Sequence, residues 1–506
     1  MPAASSWLLA SAALIPVAVA SPASAAVHRF HDDHVLGTSM DFTVTGVDAA
    51  QALQALSAAR AEISRLDLVL SGWRTDSELA RLNASPGPMS VSQDLFDVIE
   101  NCETWRSRCD GAFTPRLGEV EAYWNVAERD GRLPTAPLLA QVASRNEAAP
   151  VFLDSATRTV DRAGVTFALD ALAKGYIVDA ALEAAQRAAP GAAGLMLDIG
   201  GDLRCRGAGP DGSGWRIGVA DGASADNAPP ARLIAVVDKA VATSGAGARD
   251  RVIDGCAYGH TLSPAVGQPV APATVTVIAD RAADADALAT ALSVMPVDRG
   301  LALVDRTPGA QARILTAEGD EHRTSGWDAY LIPLTAAGPS SCAPTLVALS
   351  GAAAWPAGYD VEIQYEIPQL SLGRYRPPFV AIWITDERGD LVRTLFHLGT
   401  RPRRYLDSNY VWYKAFSAEP GAVDRIDTVT RPSRQPGRYT AAWDGMDDAG
   451  HPVGQGRYTI NIETSREHGG HSYQTITLDL GTKAASGAAA AGVEAGPAAA
   501  RYGKPA

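Results

Sequence analysis

Between about residues 35 and 334 the chain alternates two hydrophobic periods. Over residues 49–70 the apolar positions Leu53, Leu56, Ile63, Leu66 and Leu70 recur at threes and fours, which predicts an amphipathic helix. Residues 95–105, 175–188 and 285–294 repeat that spacing. β-Branched runs at residues 273–278 and 312–316 lie among them and predict strands, giving a mixed α/β pattern. After the turn-forming stretch at residues 335–344 the period falls to two. Val361, Ile363, Tyr365 and Ile367 alternate with polar residues, residues 379–384 are an apolar run, and residues 458–463 and 475–480 alternate again. This half predicts a small β-sandwich without a helix. Residues 484–506 are rich in Ala and Gly and predict a disordered tail.

The N-terminus has a different character. Residues 7–20 are apolar and are followed by Pro22, Ala23, Ser24, Ala25 and Ala26, the layout of a secretory leader with a small-residue cleavage site. Met1 to Ser6 lack the usual Lys or Arg. The run is shorter than the about 20 residues that a membrane-spanning helix needs, and no other stretch is apolar enough. The expected organisation is a signal peptide at 1–26, an α+β domain at 27–334, a linker at 335–350, a β-sandwich domain at 351–483 and a tail at 484–506. The mature body is expected in the periplasm, held to a membrane only if the leader is retained.

Composition narrows the partners. The 506 residues carry 44 Lys and Arg against 57 Asp and Glu, a net charge of -13. Nucleic-acid binders normally present a basic face, so that class is excluded. An anionic ligand remains possible where a metal or backbone amides supply local positive field. The 5 cysteines are too few for a disulfide scaffold and receive no role; Cys102 and Cys109, at helical spacing, point at different turns.

Short motifs supply candidate chemistry. Asp286 and Thr290 lie four apart at the start of a predicted helix, so both oxygens face one way. A carboxylate and a hydroxyl are hard ligands suited to Mg²⁺, although an Asp on the helix dipole and a Thr bonding backward account for the same spacing. Lys174-Gly175 precedes a helical stretch, where free amides and a cation can hold phosphate; an exposed lysine reads the same. Gly200-Gly201-Asp202 follows an apolar strand and permits close backbone approach to a ligand, or is a plain turn. His260, in a Gly-flanked loop before Ser263-Pro264, suits proton transfer.

In combination these segments resemble the FAD:protein FMN transferase family over roughly residues 35–333. The resemblance rests on Ala173-Lys174-Gly175-Tyr176 with Asp179, the Gly-Gly-Asp turn, Ala242-Thr243-Ser244-Gly245, and residues 285–291. It implies an exported α+β flavin-transferase fold that binds FAD with Mg²⁺. Such a protein would transfer FMN to a Thr or Ser hydroxyl of a target flavoprotein and release AMP. By position, the resemblance assigns the metal to Asp286, Thr290 and a backbone oxygen near Ala171. It assigns the FAD to Leu36, Trp73, Ala112, Phe113, Thr114, Ala168 and Lys174, and acid/base chemistry to His260. Thr114, Ala168 and Ser263 stand where family members usually carry Asp. Two alternatives therefore stay open: a non-catalytic FAD-binding or scaffold protein of an exported electron-transfer assembly, and an FAD pyrophosphatase.

The second half resembles an uncharacterised immunoglobulin-like domain of exported bacterial proteins, through residues 373–383 and the turn-rich stretch from Trp443 to Tyr458. Asp444, Asp447 and Asp448 in that stretch read as solvated turn acids rather than as a calcium site. Asp427, Thr430 and Ser433 are similar to the segment on which the transferase family places FMN, which makes Ser433 a candidate acceptor within the chain itself; a plain surface loop reads the same.

Overall fold

The computed structural model describes residues 26–219, 232–245, 251–254, 256–271, 273–333, 353–370, 377–399, 408–419, 429–431, 433–434, 436–466 and 470–504. The expected leader, apart from Ala26, and the expected linker lie outside these residues.

The first helices start at side-chain caps. Asp48 opens α1 (Ala49–Leu70) with a capping box, its carboxylate accepting the Gln51 N–H at 2.8 Å. Ser77 and Ser92 cap α2 (Glu78–Ala84) and α3 (Gln93–Arg108) with hydroxyls that accept the Ala80 and Leu95 N–H. α4 (Gly118–Asp130) ends at Gly131, whose φ of 68° suits a residue without a side chain. α5 (Ala136–Glu147) carries Pro137 in its first turn. α6 (Asp170–Ala188), α7 (Ala282–Val294) and α8 (Val297–Asp305) follow. α1 has the predicted bounds, but Leu53 is exposed and the buried stripe is completed by Ala52, Ala55 and Ala59.

These helices pack on an eight-stranded sheet. Its order is Val27–Val35, Thr38–Thr45, Gly194–Ile199, Asp202–Gly207, Ala240–Ser244, Thr274–Ala279, Gln311–Leu315 and Glu321–Arg323. Every neighbouring pair is antiparallel, so the mixed pattern of the sequence resolves into an α+β fold. Alternation along each strand divides the faces. Met40, Phe42, Leu197, Ala242 and Val277 meet α1, α6 and α7 in the main core. Leu203, Cys205, Val241 and Ile278 face the other way, against a small sheet carrying Trp215 and Ile234.

A very close helix contact joins α6 to α7. A Cβ on Gly175 would lie 2.3 Å from the Ala282 carbonyl oxygen, so only glycine permits this approach. One turn further along α6, Asp179 accepts the Ala282 N–H at 2.9 Å and the Ala283 N–H at 3.2 Å, capping α7 from another helix. Arg204 holds the same carboxylate at 2.8 Å.

The C-terminal part is a two-sheet sandwich. One sheet runs Gly437–Trp443, Asp360–Ile367, Ala498–Gly503 and Ala485–Ala489; the other runs Thr430–Arg431, Leu391–Leu398, Phe379–Thr385, Gly456–Ser465 and His471–Leu480. Val361, Ile363, Val380, Ile382, Ile460 and Ile476 fill the space between. Two expectations are corrected here. Residues 485–503 are not a disordered tail: Ala498–Gly503 is an inner strand paired with both Asp360–Ile367 and Ala485–Ala489, and Tyr502 is fully buried. A helix is present as well, α9 (Tyr410–Ser417), with the N–H groups of Val411 and Trp412 donating to the buried Glu463 carboxylate at 3.1 and 2.8 Å. The acids near Trp443 are turn formers as read, Asp447 accepting the N–H groups of Ala449 and His451, and Asp448 that of Thr394.

Gly175→Ala forces α6 and α7 apart and lowers stability by about 1–3 kcal/mol, readable as a shifted urea midpoint. Truncation after Gly481 removes one inner and one edge strand, and limited proteolysis then degrades the C-terminal part while sparing residues 27–333.

Candidate active site

The motif segments converge at one end of the sheet. Leu36 and Gly37, both at positive φ (50° and 78°), close the hairpin between the first two strands. Gly200 and Gly201, at 62° and 92°, close the hairpin between Gly194–Ile199 and Asp202–Gly207. The two turns are neighbours, the Gly200 N–H donating to the Ser39 carbonyl at 3.1 Å. A Cβ on Gly200 would lie 2.5 Å from the Thr38 side chain. Ser244 ends its strand at the same edge, because Ala242 is paired with Asp202. The Gly-Gly-Asp segment is thus a tight turn that leaves backbone exposed beside Leu36.

α6 and α7 bring the charged groups to this edge. Lys174 forms an ion pair with Asp202, both side chains largely buried. Asp286 is buried on α7 and accepts the Gly175 N–H at 3.2 Å. One expectation is corrected by this geometry: Lys174 and Gly175 do not precede a helix. They lie in its second turn, since α6 starts at Asp170, and the Gly175 amide is directed at Asp286 rather than offered to phosphate. The early start escaped the sequence because α6 opens at Asp170 without a side-chain cap to mark it.

The helix register bears on the metal reading. Gly175 meets Asp286 and Asp179 meets Ala282, so the helices run antiparallel, and one turn of about 5.4 Å brings Ala171 level with Thr290. A regular helix would give the Gly175 N–H to the Ala171 carbonyl alone; here Asp286 shares it. Carboxylate, hydroxyl and carbonyl oxygen at one place are a hard donor set of the kind Mg²⁺ takes. Among the described residues no group of three or more His, Cys, Asp or Glu side chains forms a metal cluster, and this set contains only one such side chain.

Of the remaining predicted residues, Trp73, Ala168 and the 112–114 loop lie around the start of α6, whereas the His260 loop packs against α4. Trp73 is 76% exposed and donates its indole N–H to Asp170 at 3.2 Å, leaving a ring face open beside the start of α6. The Ala168 N–H donates to the Pro115 carbonyl at 2.8 Å, and that of Gly118 to Thr166 at 3.1 Å, which ties the Ala112–Phe113–Thr114 loop to the segment leading into α6. Phe113 is a core side chain whose N–H donates to Cys109 Sγ at 3.1 Å and whose carbonyl accepts from the same thiol at 3.8 Å, so the structure commits its backbone to Cys109. His260 is half-buried and sits two residues beyond Tyr258, on the hairpin of Arg251–Ile253 with Cys256–Tyr258. Tyr258 packs on Trp124, whose indole N–H donates to the Gly267 carbonyl at 2.8 Å and holds the histidine loop against α4.

Known proteins match this chain in sequence and fold. The ApbE family pattern covers residues 36–314, more than half of the chain. The chain belongs to the ApbE family. It is 31% identical over 283 residues to the FAD:protein FMN transferase of Treponema pallidum, covering 52% of this chain and 77% of that one. It is 28% identical over 313 residues to the Vibrio cholerae protein of the same name, covering 59% and 90%. The ApbE crystal structure from Thermotoga maritima superposes with a TM-score of 0.55 at 27% identity, covering 61% of this chain and all 100% of that one. A second family, described as predicted periplasmic protein (DUF2271), matches residues 360–496 and so includes the strand Ala485–Ala489.

Sequence reasoning missed part of the ApbE-like edge. Glu121, in the first turn of α4, lies within electrostatic reach of Asp170 at the start of α6 and of Arg251. Arg251 also donates to Asn125, one turn along α4, at 3.1 Å. Glu121 and Asp170 thus bring carboxyls to the first turns of the helices that follow the Thr114 and Ala168 loops. The available signal was a Glu beside the buried positions Val120 and Trp124; its partners come from distant segments. Burial, with Asp170 adding to it and Arg251 opposing, pushes the Glu121 carboxyl from 4.5 up to about 7. Burial likewise pushes Asp198 up to about 7, against the Gly201 N–H that it accepts at 2.8 Å. A cavity of about 440 Å³ lined by Gln186, Gly194, Arg204, Arg206 and Asp238 lies at the opposite end of the sheet and takes in none of these residues.

An acid with a raised native pKa loses native-state stability as pH climbs from the unfolded value to the folded one, here from 4.5 to about 7 for Glu121. Glu121→Gln and wild type therefore melt nearly alike at pH 5, and the variant melts higher at pH 8, as followed by circular dichroism. Asp198 contributes to the part of the decline that persists in the variant.

Proposed function

We propose that the chain is an exported, Mg²⁺-dependent FAD:protein FMN transferase, a reading supported by one observation: in an ApbE-family fold, neighbouring turns of α6 bring Asp170 to Trp73, Lys174 to Asp202 and Gly175 to Asp286. Asp286, Thr290 and the Ala171 carbonyl would hold the metal, which supplies charge neutralisation at the pyrophosphate. Leu36, Trp73 and the 112–114 and 168 loops frame the dinucleotide, and Lys174 meets its phosphates. The acceptor Thr or Ser hydroxyl attacks the phosphorus of the FMN half. The bond from that phosphorus to the AMP oxygen breaks, AMP leaves, and His260 takes the hydroxyl proton. Positioning and electrostatics carry most of such a phosphoryl-type transfer.

The acceptor is a separate flavoprotein or Ser433 of the C-terminal part. Ser433 is half-buried two residues beyond the strand Thr430–Arg431, which pairs with Leu391–Leu398; Asp427 and Thr428 lie outside the described residues. The apolar leader and the DUF2271 match support the periplasmic reading.

Incubation with FAD, Mg²⁺ and an acceptor protein releases AMP in step with protein-bound flavin. His260→Ala lowers that rate by about 10²–10⁴-fold with FAD binding retained. AMP with only free FMN would make the protein a pyrophosphatase, and FAD binding without AMP a carrier. Intact mass after FAD and Mg²⁺ alone reports whether Ser433 is modified.

A further inference from the structure

Lys174 is the cation that the flavin-transferase reading places against pyrophosphate, yet in the folded chain it already has a counter-ion. Its ammonium pairs with the Asp202 carboxylate, with side chains 11% and 4% exposed. Asp202 cannot easily retreat. It follows a glycine pair with both φ positive, its strand is paired on one side with Gly194–Ile199 and on the other with Ala240–Ser244, and its neighbour Leu203 is anchored in the opposite core. Asp198 is close enough to feel both members of the pair. Pyrophosphate at Lys174 would therefore meet a fixed buried carboxylate. Taking the lysine from it leaves a buried charge without its partner, which is strongly unfavourable.

We propose that Asp202 is a positioning residue that makes FAD binding conditional on a divalent cation. It holds Lys174 through their ion pair, and competes with the pyrophosphate for it. Only an arriving cation on the Asp286 side offsets the extra negative charge, so cation and dinucleotide bind with positive coupling. Two sites that favour one another in this way differ in affinity by about 5–150-fold with and without the partner. This inference rests on the reading of Lys174 as a phosphate contact.

The test is fluorescence titration of FAD into wild type, Asp202→Asn and the Lys174→Gln/Asp202→Asn double variant, each with EDTA and with Mg²⁺. Wild type is expected to bind FAD at least about 10-fold more tightly with Mg²⁺. Asp202→Asn is expected to bind FAD more tightly than wild type in EDTA, and the Mg²⁺ effect shrinks several-fold. The double variant removes both charges and so keeps the fold if the single variant does not; it is also expected to show the reduced Mg²⁺ effect, with weaker binding throughout. A Mg²⁺ effect of wild-type size in the folded variants overturns the inference and leaves the flavin reading intact. Failure of wild type to bind FAD under either condition overturns both.

Discussion

The close approach of α6 to α7 is the constraint on which the candidate site depends. Gly175 lets the Ala282 backbone come within a distance that any side chain would forbid, and Asp179 then satisfies the free amides at the start of α7. Because the two helices meet here, Asp286 reaches the Gly175 N–H and the first turn of α6 faces the following turn of α7. The hard oxygen donors, the lysine and the glycine turns occupy one edge as a consequence of this packing. Asp179, conspicuous in the sequence motif, is thus a helix cap rather than a ligand contact.

The same edge resolves the tension between an acidic chain and an anionic substrate. The net charge of -13 is no obstacle when the local field is arranged by a buried lysine and exposed turn backbone. The acids near the edge are themselves perturbed: burial pushes Glu121 and Asp198 up to about 7, so part of the formal charge is absent near neutrality. An edge built this way is permissive to a phosphate only in company with positive charge.

Much of the N-terminal fold was legible. Hydrophobic spacing located α1 to the residue and α7 within a few residues, and the β-branched runs near residues 275 and 313 are adjacent strands. Asp286 and Thr290 were legible as a pair because helical spacing alone puts them on one face. Helix starts were less so: α6 begins at Asp170 without a side-chain cap, and α7 is capped by a carboxylate more than a hundred residues away. Glu121 escaped for the same reason, since its significance lies in Asp170 and Arg251. In the C-terminal part, Ala and Gly content suggested disorder, whereas small side chains are what the strand pairing accommodates; Gly487 lies against Ile476 with space for no Cβ. α9, in a half predicted to lack helices, is helical because Glu463 receives its first amides and Trp412 stacks on His397 and Phe416.

What the sequence determined by itself is local: periodicity, caps, glycine turns, the order of the motifs, and through them family and fold class. Those features depend on residues within a few positions of each other, where spacing translates directly into a shared face or a required φ. Tertiary structure alone decided which charges meet. Lys174 with Asp202, Asp286 with Gly175, Trp73 with Asp170 and Glu121 with Asp170 are pairs brought together by packing across the chain, and their burial sets their electrostatics. The chemistry of the edge depends on those meetings, because the worth of a charge is fixed by what surrounds it once water is excluded.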